Sequence, residues 1–511
     1  MLDDAVDPDR LDDADIDEAP EQIRVRSDKR ARLLAAGRQP YPVSVPRSHS
    51  LAEVRAEWGN LQAGEQTDAE VAVSGRVMFL RGAGRLVFAT LQDGDGTRLQ
   101  VMLSQADVGE AGMATWKADV DLGDLVSVTG MVGTSKRGEL SVLARSWLLA
   151  AKALRPLPTL HKDLSEEARV RNRPVDLLVR QAARDHVQTR ANVLRSLRET
   201  FHRHRFVEVE TPILQAVHGG AAARPFRTHV NALGVDMSLR IATELYLKRC
   251  VVGGLHRVFE IGRTFRNEGI DATHSPEFTM IESYAAYGTV ESMAGLVREL
   301  ILDAATAVGR TTVQTGDGAE IDLAGAWPTV TVHDAVSAAV GDEVTVDTAA
   351  PRLRRLAATA SVEVKPEWSA GEIVLELYEK LVERSIRQPT FISDYPAEVR
   401  PLARARVDEP RLASAWDLVI NGVEVAPIYT ELTDPVIQRQ RLREQSLRAA
   451  AGDPEAMALD EDFLQALEHG MPPTGGMGMG LDRLVMLLTG VGIRETILFP
   501  LLRPSPSAAG R

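Results

Sequence analysis

Val258-Phe-Glu-Ile-Gly-Arg-Thr-Phe-Arg-Asn-Glu-Gly269, running on to His274-Ser-Pro-Glu-Phe278, and the distant Gly475-Gly-Met-Gly-Met-Gly-Leu-Asp-Arg483 decide how this chain is read. The first places Arg266 and Glu268 on a strand–turn unit beside His274 and Phe278. The second reads as a glycine-rich strand ending in an arginine at a helix start, followed by an apolar run. The glycines are spaced G-x-G-x-G, with no ribose-binding acid at the distance a dinucleotide fingerprint needs. No GxxxxGK[ST] run occurs in the chain. The two segments together suggest a site that grips a bent ATP without a P-loop.

The chemistry of the side chains supports this. An arginine on a strand binds carboxylate or phosphate bidentately. When a carboxylate attacks an α-phosphate, the in-line transition state spreads charge over phosphate oxygens, where fixed cations act most strongly. Phe278 can stack on a purine, His274 can reach a phosphate, and Arg483 can lie against adenine. Alternating Gly476, Gly478 and Gly480 let a ligand approach the backbone. Asp417 and Glu424, seven apart across a hairpin, are hard oxygen donors that suit Mg²⁺ bridging phosphates, or else a solvated surface pair. Glu244, Glu282 and Glu431 lie in largely apolar strings, where a carboxylate needs a cation. That cation is either internal, for instance Lys248 or Arg249, or a substrate with two ammonium groups.

Working outward, 511 residues suggest two or three domains with a large core. The net charge of −13 does not by itself point to a nucleic-acid binder, although a basic face can coexist with an acidic total. Residues 1–22 read as an acidic disordered tail, and 23–69 as a helical extension broken by Pro40 and Pro42. Residues 70–152 change to short β runs: Val71 to Leu80, Leu86 to Leu91, Leu99 to Leu103, Val126 to Gly130 and Leu140 to Leu143, with a helix-like stretch near 104–118. This suits a small OB-type barrel or another β domain. Residues 153–172 form a proline-marked linker, and 173–511 mix helices and strands without βαβ rhythm. The fold class is therefore α+β, an antiparallel sheet flanked by helices after an all-β barrel. The one cysteine, Cys250, reads as a core residue and rules out a disulfide within the chain. Neither a signal peptide nor an apolar run of bilayer length is visible, so a cytoplasmic protein with no membrane partner is expected.

With these residues in view, the chain resembles the class II lysyl-tRNA synthetases over about residues 22–505. The matching strings are Gly219-Gly-Ala-Ala-Ala-Arg-Pro-Phe226, Glu244-Leu-Tyr-Leu-Lys-Arg249, Phe265-Arg-Asn-Glu-Gly269, Gly470-Met-Pro-Pro-Thr-Gly-Gly476 and Ile497-Leu-Phe-Pro-Leu-Leu502. The resemblance places motif 1 near 190–212, motif 2 near 258–282 and motif 3 near 475–488. It implies a homodimer that activates L-lysine with ATP and Mg²⁺ and passes it to tRNA(Lys). It also implies residue roles. Gly220 and Glu244 would bind the α-amino group; Glu282, Tyr284 and Glu431 the ε-ammonium, with Tyr429 along the stem; Arg266 the α-phosphate and the substrate carboxylate. Glu268, His274, Phe278 and Arg483 would hold ATP, with Asp417 and Glu424 on Mg²⁺. Arg76, Phe88, Gln100 and Glu139 would read the anticodon.

The chain departs from the family pattern at Pro427, where an asparagine would help bind the substrate carboxylate. It departs also at Arg205 (a glycine), and at Pro174 and Ser283 (aromatics). The rival expectations are a diverged second copy, with altered specificity, inhibitor tolerance or a non-tRNA acceptor, and a non-catalytic binding relative.

Overall fold

A computed structural model describes residues 20–158, 165–315, 318–450 and 457–503. The chain divides into two compact units, the first ending at Arg184 and the second beginning at Asp185. Most of the expected acidic tail lies outside the described residues. The helix expected after it begins at Glu21 and ends at Ala35.

The first unit is built on a closed five-stranded barrel, in the order β1-β2-β3-β5-β4. Its strands are β1 (Gln66–Ala83), β2 (Leu86–Gln92), β3 (Arg98–Ser104), β4 (Leu125–Thr134) and β5 (Leu140–Ala151). The interior is filled by alternate residues, among them Val71, Val73, Val77, Val87, Ala89, Leu91, Leu99, Val101 and Leu103. That period of two puts Phe88, Thr90, Gln100 and Met102 outward on neighbouring strands. The helix Gln105–Asp119 packs Met113 and Trp116 into the same core. The region expected to be a plain linker carries the helix Glu166–Arg171. A further helix, Arg173–Val179, takes Pro174 in its first turn, where a missing N–H costs nothing.

The second unit is organised by an eight-stranded sheet in the order β14-β15-β16-β17-β18-β11-β10-β6. The chain enters it through β6 (Val207–Glu208), after which β7 (Leu214–Gln215), β8 (Arg227–Val230) and β9 (Val235–Leu239) form a separate small sheet. The order continues with β10 (Arg257–Phe265), β11 (Glu277–Ala286), the hairpin β12 (Thr312–Gln314) and β13 (Glu320–Asp322), then β14 (Thr329–Thr331), β15 (Thr390–Ser393), β16 (Ala415–Ile420), β17 (Val423–Thr430) and β18 (Thr474–Gly480). The sheet is antiparallel except for parallel pairing of β6 with β10 and of β14 with β15.

The two faces of this sheet do different work. On one, Phe259, Ile281, Ile428, Met477 and Met479 pack against the helices Val290–Ala307 and Leu481–Thr489 in a single core. The helix Val290–Ala307 starts at a capping box made by Thr289 and Ser292, and it buries Val290, Met293, Val297, Leu300, Ile301 and Ala304. That spacing is the stripe of an amphipathic helix. On the other face the register aligns Met280, Glu282 and Tyr284 of β11 with Gly480, Gly478 and Gly476 of β18, and Tyr429 of β17 with Gly476. Sheet alternation thus puts Ser283 on the core face, away from the face that carries Glu282 and Tyr284.

Arg205 adopts φ 62°, left-handed backbone that glycine takes freely. Cys250, expected in the core, is half-buried beside a core cluster.

Candidate active site

Two cavities open on the glycine-bearing face. One, of about 130 Å³, is lined by Arg266, Glu268, His274, Phe278, Glu424 and Arg483, among others. It joins the five residues expected to hold ATP and one of the two expected at Mg²⁺. Arg266 comes from the turn after β10, Phe278 from β11, Glu424 from β17 and Arg483 from the helix after β18. The Arg266 guanidinium sits 5.3 Å from the Phe278 ring centroid. Its Nε donates to the Ile241 carbonyl at 3.4 Å. No carboxylate among the described residues forms an ion pair with it, and burial lowers its pKa. A largely desolvated guanidinium without its own counter-ion attracts an anion.

The remaining residues of the cavity are held by short-range bonds. Arg483 donates to the Glu424 carbonyl at 2.6 Å. The Asp271 carboxylate, accepting from Thr273 and His274, stays far below the usual range and binds the His274 ring at 2.9 Å. The 219–226 loop is tied in because Asn267 N–H donates to the Arg224 carbonyl at 2.7 Å.

The second cavity, of about 340 Å³, is lined by Gly220, Glu244, Arg400 and Tyr429 with others. Gly220 has φ 87°, and a Cβ there would crowd Ala242 and Glu244 at 3.1 Å. The fully buried Lys248 Nζ lies 2.6 Å from Glu244 and 2.5 Å from Glu431. The internal cation left open by the sequence is therefore Lys248, one helical turn after Glu244. Arg249 instead pairs with Asp460 at 2.7 Å. Among the described residues Glu282 forms no direct ion pair, although the charge of Arg266 acts on it. It accepts from Thr243 N–H at 3.0 Å and from the Tyr284 hydroxyl at 3.3 Å. Burial beside Glu244 pushes it up to about 7. The two flanking carboxylates hold Lys248 charged. One cation thus meets two of three acidic side chains, of which Glu244 alone lines the second cavity.

The glycines of β18 serve a purpose beyond ligand approach. A Cβ on Gly476 would lie 1.9 Å from Glu431 Oε1 and 2.6 Å from Tyr284. The strand is therefore bare where the side chains of the acidic cluster cross it.

The expected Mg²⁺ pair is split. Glu424 lines the nucleotide-sized cavity, but Asp417 is buried outside its lining and pairs with Arg400 at 2.5 Å. Asp417 Oδ1 finds no hydrogen-bond donor of good geometry. Among the described residues no group of three or more acids, histidines or cysteines is arranged to enclose a metal ion. Pro427 lines the first cavity just beyond the last β17–β18 pair.

On the barrel, Phe88 and Gln100 share the outward face, and Gln100 donates to Ser141 Oγ at 2.8 Å. Glu139 pairs with Arg55 at 3.3 Å. Arg76 is not part of this patch. It pairs in register with Gln92, about 13 Å along the strand from Phe88, and its guanidinium is spent on the Gly123 carbonyl at 2.6 Å. The arginine beside Phe88 is Arg81, paired with it across β1–β2 and 5.0 Å from its ring. Arg81 was legible in principle, since a hairpin register places it opposite Phe88.

A family model described as tRNA synthetases class II (D, K and N) matches residues 165–503, and one described as OB-fold nucleic acid binding domain matches 71–150. A lysine–tRNA ligase of Kineococcus radiotolerans is 56% identical over 494 residues, 96% of this chain and 99% of that protein. One of Mycobacterium tuberculosis is 54% identical over 495 residues, 96% of this chain and 98% of that protein. This chain belongs to the lysine–tRNA ligase family of class II synthetases. A lysylphosphatidylglycerol biosynthesis bifunctional protein of Mycobacterium marinum is 51% identical over 491 residues, 95% of this chain but 44% of that longer protein. The family is one of ATP-dependent ligases, and the barrel-plus-sheet architecture expected from the sequence is the one observed. No helix among the described residues is long and apolar enough to cross a membrane.

Proposed function

We propose that this chain activates L-lysine with ATP to lysyl-adenylate and transfers the lysyl group to the 3′ end of tRNA(Lys). The observation that carries this is charge matching between two neighbouring cavities. Glu244 of the larger cavity's lining belongs to a buried cluster in which it, Glu282 and Glu431 outnumber the one cation paired there, Lys248. The two ammonium groups of lysine make up that deficit. The other cavity presents Arg266, which forms no direct ion pair among the described residues.

The lysine carboxylate attacks the α-phosphorus in line and pyrophosphate leaves. Arg266 holds both carboxylate and α-phosphate, neutralising charge as it develops. Phe278 and Arg483 sandwich the base, while Glu268 and His274 hold the rest of ATP. Glu282 and Tyr284 take the ε-ammonium, Gly220 and Glu244 the α-amino group, and Tyr429 the stem. Glu431 contributes charge while paired to Lys248. Catalysis is then positioning plus electrostatic stabilisation.

Mg²⁺ fits as a partner of phosphate. Glu424 and Asp417 carry hard carboxylate oxygens. With so few protein ligands, phosphates and water would complete the shell, as is usual for this ion. When bound, it would neutralise phosphate charge. Phe88, with Arg81 over its ring and Gln100 beside it, offers a stacking face for an anticodon base. A homodimer through the motif 1 region and a cytoplasmic location complete the proposal.

Lysine-dependent ATP–pyrophosphate exchange, followed by charging of tRNA(Lys), tests it. Exchange with lysine and none with other amino acids is expected. Absence of exchange in folded protein, or its dependence on another amino acid, would overturn the proposal.

A further inference from the structure

Arg190 lies on the long helix Gln181–Arg203, behind the nucleotide cavity rather than in its lining. Its guanidinium reaches three segments that do line it. Nη1 donates to Asp482 Oδ1 at 2.5 Å and to the Thr496 carbonyl at 3.4 Å, and Nη2 donates to Thr279 Oγ1 at 3.0 Å. Asp482 Oδ2 accepts the Thr279 backbone N–H at 2.7 Å, and this carboxylate is almost wholly buried. Thr279 directly follows Phe278, and Asp482 directly precedes Arg483. Thr496 ends the short helix Ile493–Thr496, whose first N–H, on Ile493, holds the Ala272 carbonyl at 2.9 Å in the loop that carries His274. One side chain therefore ties together the segments that carry Phe278 and Arg483 and, through the helix Ile493–Thr496, the loop of His274.

We propose that Arg190 is a positioning residue for the nucleotide, setting the gap between Phe278 and Arg483 from behind the sheet. This rests on reading the smaller cavity as the ATP site. A salt bridge serving stability alone would move all kinetic constants or none. A positioning role moves ATP recognition selectively.

The test is ATP–pyrophosphate exchange by the full chain, with lysine and with ATP or GTP. Arg190→Met is expected to raise the ATP KM about tenfold or more, leave the lysine KM within about twofold, and narrow the preference for ATP over GTP. Arg190→Lys, which keeps a cation near Asp482 but cannot bridge all three segments, should fall between parent and Met. An unchanged ATP KM and ATP/GTP ratio overturns the proposal, as does an equal loss in kcat and both KM values. If Arg190→Met does not fold, Thr279→Val carries the test, since it removes only the Oγ1 acceptor. An ATP KM raised about threefold with lysine unaffected supports the role, and no rise overturns it. A parent that shows no lysine-dependent exchange refutes the reading of the cavity itself. A working parent with an indifferent Arg190→Met refutes only Arg190.

Discussion

Replacing Glu282 with Gln probes the acidic pocket where it lacks a cation. Burial beside Glu244 pushes the Glu282 carboxyl from 4.5 up to about 7. That rise corresponds to about 3 kcal/mol for ionising the group in the empty pocket. Below pH 7 the free protein therefore carries a proton at Glu282 that an incoming ammonium must displace. The lysine KM, read by ATP–pyrophosphate exchange, should rise about tenfold per pH unit as the pH falls below 7 and level off above about 8. The ATP KM should not share this slope.

The same shift affects stability, with a fixed sign. Between pH 4.5 and 7 the folded chain holds this proton and the unfolded chain has released it. Stability without ligand should then fall as the pH rises through that window, by up to about 3 kcal/mol from this group. Glu282→Gln removes the titration, so denaturant melts of the variant should lose this part of the decline. Its lysine KM should rise about a hundredfold or more, since the substrate cation is left unpaired, and the slope below pH 7 should vanish. A parent lysine KM that is flat from pH 6 to 8, or a Gln variant that keeps the parental slope, would refute the assignment.

Four further outcomes are expected. Arg266→Ala should cut lysine-dependent exchange by about 3–4 kcal/mol of transition-state stabilisation, a loss of several hundredfold; a change of only a few-fold would remove Arg266 from the chemistry. Phe88→Ala should weaken tRNA charging by about 1–3 kcal/mol per lost stack and spare exchange, and Arg81→Ala should do so more weakly; parallel loss of both activities in folded protein counts against the barrel patch. Arg205→Gly should raise stability by about 1 kcal/mol in denaturant melts, because φ 62° suits glycine, and an unchanged midpoint would show that the arginine makes compensating contacts. Pro427→Asn should lower the lysine KM several-fold at constant ATP KM, the gain expected from a charge-assisted bond of about 1.5–3 kcal/mol partly offset by repacking; unchanged or weaker lysine binding would make the proline neutral.

The parts legible in the sequence were those governed by local pattern. Period-two strands gave the barrel, and the strings around Arg266 and Arg483 placed a nucleotide-sized cavity. What escaped was long-range pairing. Glu244 and Lys248 stand at i and i+4, which is a helix-pair signal, yet only the fold brings Glu431 to the same Nζ. Spacing and the family resemblance set Asp417 beside Glu424, but neither marked its ion-pair partner Arg400, seventeen residues away. Arg76 came from the family resemblance, whereas the regular register from the Ala83–Leu86 turn sets Arg81 opposite Phe88. Arg190 had no motif to mark it, since its three partners meet only once the sheet is assembled.

The sheet's two faces also rank the departures from the family pattern. Ser283 faces the core between helices, so it bears on packing beneath the pocket and not on a substrate contact. Pro174 occupies a helix start, where proline is at home. Arg205 costs backbone strain on an exposed turn. Of the four, Pro427 alone lines a cavity of the candidate active site, beside Gly478 and within the same lining as Arg266. It lies past the end of the β17–β18 ladder, so the missing N–H breaks no pairing with β18, and the change is felt in what the pocket can donate. The acids and arginines that set the charge of both cavities are untouched by all four changes. Divergence in this chain is therefore expected to show in how tightly the lysine carboxylate is held, with the discrimination for a terminal cation left to Glu282 and the acids around Lys248.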